Sequence, residues 1–94
     1  MKKFRFRSGV KASYDRQGLV WFTLRGYSGM PEEKKRRVEQ VCQRVAGHNW
    51  RALLDYVTTD KSPKDVASEH YIASVTTIYQ AVNRLMEKFP DDLL

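Results

Sequence analysis

Cysteine, glycine-rich loops and long apolar runs are what this chain has little of, and each shortage removes a class of function. Cys42 stands alone, so there is no internal disulfide, and no CxxC or Cys/His cluster is present to hold a metal. No apolar stretch approaches the roughly 20 residues that span a bilayer, and MKKFRFRS lacks the apolar segment of a secretory signal. A cytoplasmic protein with no membrane partner is therefore expected. The five glycines are scattered and form no phosphate-cradling loop. No nucleophile has a base at a recognisable spacing. His48 falls at a helix break and His70 at a helix end, and both read as caps or surface residues; Cys42 reads as a small core hydrophobe, and Asp91 and Asp92 read as a tail pair without a partner. Neither an enzyme, a cofactor nor a small-molecule substrate is predicted.

Acidic residues are also scarce at one end. Residues 1–30 carry seven basic groups against one acidic group, residues 31–61 seven against five, and residues 62–94 three against five, for a net charge of +6. A basic chain of 94 residues fits one domain with an anionic partner, nucleic acid being the commonest. The acidic C-terminal third is an objection to that partner, because the motif described below lies in it.

Along the chain, the pattern predicts an α+β fold: an N-terminal β-hairpin over 1–28, two helices over 31–58 and a helical pair over 62–90. Phe4 to Tyr14 and Leu19 to Tyr27 are rich in aromatic and β-branched residues and flank the polar stretch Asp15-Arg16-Gln17-Gly18, as in a hairpin. Val20, Phe22 and Leu24 are expected in the core, with Arg5, Arg7 and Lys11 on the solvated face. Pro31, Glu32 and Glu33 open a helix that runs to Ala46 and stops at Gly47, with Val38, Val41, Cys42 and Val45 as its buried stripe. The run Lys34-Lys35-Arg36-Arg37 makes its outer face basic. Asn49 is expected to cap a second helix, Trp50 to Thr58, which buries Trp50, Leu53, Leu54 and Val57.

Ser62-Pro63-Lys64-Asp65 combines a capping serine, proline at the first helical position and an acid three residues after the cap. It starts a short helix to His70 that buries Val66 and Ala67. Ser74 caps the next helix, where Val75, Ile78, Tyr79, Val82, Leu85, Met86 and Phe89 make one apolar stripe before Pro90. Opposite the stripe lie Thr76, Thr77, Gln80, Asn83 and Arg84. Such side chains can read base edges: Gln and Asn pair with adenine, Arg with guanine, and Thr with phosphate or the thymine methyl.

In VASEHYIASVTTIYQAVNRL the chain resembles the broad helix-turn-helix class of bacterial DNA-binding proteins, particularly small regulators of Gram-positive bacteria, phages and mobile elements. Val66-Ala67, Ile72 and Thr77-Ile78-Tyr79 occupy the class's recurring positions. Two departures stand out: Tyr71 replaces the glycine of the turn, and Ala67 to Thr77 is one residue longer than the common pattern. The resemblance implies double-stranded DNA as partner and base contacts from Thr76, Thr77, Gln80 and Arg84, to which the polar face of the helix adds Asn83; a helix of this size reads only a few base pairs, so specific binding calls for a homodimer. Phosphate contacts are expected from Lys34, Lys35, Arg36, Arg37, Arg5, Arg7 and Lys11. Two other readings stay open. One is a protein-interaction adaptor that uses the acidic C-terminal third and the hairpin's open edge. The other is RNA binding by stacking on Phe4, Phe6, Trp21, Phe22 and Tyr27.

Overall fold

The computed structural model describes Arg7 and residues 9–94, and among these every regular element is a helix. Five α-helices follow in order: α1 (Tyr14–Arg25), α2 (Glu32–Ala46), α3 (Trp50–Thr58), α4 (Pro63–Glu69) and α5 (Val75–Lys88). Short 3-10 turns connect α1 to α2 and α2 to α3, and a third, Asp91–Leu93, closes the chain. α2, α3 and α5 pack on one another, α1 lies across α3 and α5, and α4 bridges α3 and α5. The core is drawn from all five helices, from Val20 and Leu24 of α1 to Ile78, Val82, Leu85 and Met86 of α5, with Phe89 and Leu93 beyond it.

The predicted α+β class is corrected, because no strand occurs among the described residues. Part of the first predicted strand, Phe4, Arg5, Phe6 and Ser8, lies outside the described residues; Gly9 to Ser13 are irregular and Tyr14 opens α1. The polar turn and the second predicted strand as far as Arg25 are inside this helix, whose C-cap is Gly26, and Tyr27 opens the 3-10 turn that follows. Ser13 Oγ accepts the Arg16 N–H at 3.1 Å, so the supposed hairpin turn is a capped first turn. Asp15 in the first turn and Arg25 in the last complement the helix dipole.

The period decided which side chains went inside. Gln17, Val20 and Leu24 recur at helical spacing and are buried, whereas Phe22, expected in the core by alternation, is 81% exposed. Residues 19–22 are all apolar and satisfy either period locally, so tertiary packing overrode their β-propensity. The buried amide of Gln17 accepts from Arg7 N–H (2.8 Å) and donates to the carbonyls of Arg7 (3.2 Å) and Ala12 (3.0 Å). These bonds hold the N-terminal segment against α1 where strand pairing was expected.

From residue 31 onward the helices form where the sequence places them. Val38, Val41, Cys42 and Val45 are buried on α2, which ends at Gly47 with φ of 57°, a conformation that suits glycine. Burial pushes the Cys42 thiol up to about 12, helped by the nearby Glu39 charge, so it is a core hydrophobe rather than a nucleophile. On α3 the buried set is Ala52, Leu53, Tyr56 and Val57; Trp50 and Leu54 lie at the margin, and Asn49 makes no side-chain capping bond. The capping serines behave as predicted: Ser62 Oγ accepts from Asp65 N–H at 3.1 Å and Ser74 Oγ from Thr76 N–H at 3.2 Å.

Asp91 and Asp92 are not a partnerless tail. Arg16 of α1 bonds both the Asp91 carboxylate and the Phe89 carbonyl, and Arg37 of α2 pairs with Asp92 at 2.6 Å. With Leu93 buried, the C-terminus ties α1 and α2 to the end of α5.

Candidate nucleic-acid interface

α5 is positioned by its apolar stripe and by the turn that precedes it. At the end of α4, Ile72 N–H bonds the Ala67 carbonyl at 2.8 Å and Tyr71 N–H the Ser68 carbonyl at 3.3 Å. These two bonds make a Schellman cap in which Tyr71 takes the left-handed position, with φ of 57°. Ile72 packs against the core, and the chain turns into Ser74 and α5. The short helix after Ser62 and the capping Ser74 locate this turn in the sequence but not its conformation: tyrosine stands where the backbone favours glycine.

The candidate base-reading side chains divide into two groups. Thr76 and Gln80 are exposed and Thr77 half-buried, all in the first two turns of α5. Asn83 is half-buried, and its side-chain oxygen is buried with no hydrogen-bond partner among the described residues. Arg84 is exposed, but its Nε donates to the Val45 carbonyl at 2.7 Å, tying α5 to the C-terminal end of α2.

The candidate phosphate contacts are spread further apart. Arg7 lies beside α5, its guanidinium 5.0 Å from the centre of the Tyr79 ring. Lys11 is exposed, and its backbone N–H donates to Glu87 on the last turns of α5 at 2.9 Å. α2 runs antiparallel to α5, because Val45 meets Arg84 while Arg37 meets Asp92 beyond the α5 C-terminus. Lys34 to Arg37 therefore sit at the opposite end of α5 from Thr76, about 12 Å or more along the helix from the Arg84 contact. Within that run Lys35 pairs with Glu32 at 3.8 Å and stands over the Tyr27 ring. Arg5 lies outside the described residues.

Charge is arranged more favourably than its sum indicates. No acidic residue occurs between Val75 and Arg84. Of the acidic groups in the C-terminal third, Asp91 and Asp92 are paired with Arg16 and Arg37, Glu69 with Lys61 at 3.3 Å, and Glu87 accepts the Lys11 N–H. At the α3–α4 junction Asp55 binds His70 Nε2 at 3.0 Å and Lys61 Nζ at 3.1 Å. Burial raises the Asp55 pKa, but the hydrogen bonds from His70 and Lys61 outweigh it and hold the carboxyl below its ordinary range. His70 is thus both the C-cap residue of α4 and a strut to α3.

The hairpin stacking platform expected for RNA is absent among the described residues. Trp21 packs edge-on against Tyr56 with ring centres 6.4 Å apart, and Tyr27 donates its hydroxyl to Glu39 at 2.6 Å. Phe22 is exposed on the outer side of α1. Among the described residues no three His, Cys, Asp or Glu side chains are grouped to hold a metal ion, and no helix is long and apolar enough to cross a membrane. No protein-family model, curated protein or solved structure matches the chain.

Proposed function

We propose that the protein is a small helix-turn-helix DNA-binding module acting in transcriptional control or on phage or mobile-element DNA. The observation that carries this reading is the N-terminal half of α5. It exposes Thr76 and Gln80, contains no acidic side chain between 75 and 84, and has Arg7 and Arg84 at its edges. Set in a major groove, Gln80 would pair with an adenine edge and Thr76 would meet phosphate or a thymine methyl. The terminal nitrogens of Arg84 would reach a base or phosphate while its Nε stays on α2. Arg7 is the nearest phosphate grip, and a second copy of the chain would supply the further half-site that specific binding needs.

Fluorescence anisotropy on a duplex of about 20 base pairs tests this reading. Affinity is expected to fall at least tenfold between about 50 and 200 mM salt, because the release of counterions from phosphates drives binding less as bulk salt rises. Arg7→Ala is expected to weaken binding and flatten that slope by about one unit. No binding at the lower salt, or a flat salt response, sinks the proposal.

One observation favours the adaptor reading instead: Leu19 and Phe22 expose apolar surface on the outer side of α1. Capture of a single protein partner that Phe22→Asp abolishes, by a chain that ignores duplex, would select it.

A further inference from the structure

Tyr71 combines two features that folding does not explain together. Its backbone lies in the left-handed region at φ of 57°, and among the described residues it is the one non-glycine residue with positive φ. Its side chain is 95% exposed, so no packing within the chain compensates for the unfavourable backbone. At this position of a Schellman cap glycine has no steric penalty, while a β-carbon crowds the following carbonyl. A bulky residue held there without internal contacts points to a role outside the fold. Its place on the chain indicates which role. Tyr71 is the turn itself, followed by exposed Ala73 and Ser74 and then by Thr76 and Gln80 in the first turns of α5.

We propose that Tyr71 is a positioning residue for DNA, its phenol hydroxyl donating to a backbone phosphate at the edge of the groove that receives α5. This rests on the DNA-binding reading above and adds a contact which that reading does not contain. A helix inserted by its N-terminal end brings the preceding turn up to the phosphate ridge, and tyrosine is among the side chains that bond phosphate there. The phenol is uncharged, so the contact fixes orientation without releasing a counterion.

The test compares wild type, Tyr71→Phe and Tyr71→Gly on a random 20-base-pair duplex, with thermal melts of each free protein. Tyr71→Gly is expected to melt about 4 °C higher, because the strained β-carbon is gone, yet to bind about tenfold more weakly. Tyr71→Phe keeps the strain and the wild-type melting temperature, and loses the same tenfold in affinity with an unchanged salt slope. A Tyr71→Phe chain that binds as tightly as wild type overturns the hydroxyl contact and leaves the DNA reading standing. Wild type that does not bind the duplex at low salt removes both.

Discussion

Gln17 illustrates how much one side chain decides in a domain of this size. Its amide satisfies the N–H and carbonyl of Arg7 and the carbonyl of Ala12, all from a fully buried position. Gln17→Ala would leave those backbone groups unpaired beside a cavity and is expected to lower stability by about 2 kcal/mol in urea denaturation. A loss within the roughly 0.5 kcal/mol typical of a surface change would show that the amide is not holding the segment. Nothing in the sequence marked this residue, because glutamine in the stretch Asp-Arg-Gln-Gly reads as polar turn filler. Asn83 is the converse case: its polarity made it a candidate base contact, whereas the fold half-buries it and leaves its carbonyl oxygen without a partner among the described residues. Whether a polar residue on a helix faces solvent depends on the neighbouring helix, and local spacing does not carry that information.

At the level of elements, capping chemistry proved more informative than residue propensity. Ser62, Pro63 and Ser74 mark helix starts because the side-chain oxygen and the missing proline N–H meet unpaired groups that every helix start has. Ser13 makes the same kind of bond for α1, but a run of aromatic and β-branched residues drew the reading toward a strand. A substitution there separates the two structures. Ser13→Ala is expected to lower stability by about 1 kcal/mol through loss of the cap and to reduce the helical signal in far-UV circular dichroism. An unchanged melting curve would contradict the capped helix. The antiparallel placement of α2 on α5 has a functional consequence as well. It carries Lys34 to Arg37 toward the C-terminal end of α5, so this basic run, expected to contact phosphate, lies at the far end of the helix from Thr76.

For the whole molecule, ion pairs join pieces distant in sequence: Arg16 to Asp91, Arg25 to Asp60 at 2.5 Å, and Arg37 to Asp92. Acid should weaken this frame. Asp55 and Asp92 have pKa values held below the ordinary carboxylate range. For Asp55 burial opposes the bonds from His70 and Lys61, and for Asp92 the bond from Arg37 dominates. A carboxyl depressed in the folded state stabilises above its unfolded pKa of about 3.9 and loses that contribution as pH falls through the folded value. The melting temperature is therefore expected to hold from pH 7 to about 5 and to fall steeply below about 4. Asp55→Asn should make that fall shallower. An unaltered acid limb would show that the α3–α4 junction takes no part in it.

The sequence by itself determined the four helices after residue 31 and the apolar stripes of α2 and α5. These depend on side chains within a few residues of one another along one helix. Tertiary structure decided that residues 14–25 are helical, where the local cap at Ser13 and the local β-propensity point different ways, that the aspartates after Pro90 are bonded to α1 and α2, and that Arg84 reaches across to Val45. In each of these the deciding partner is dozens of residues away or on another helix. Apolar side chains compatible with either period take the one that buries Val20 and Leu24 against α3 and α5, and that choice exists only once the helices have come together.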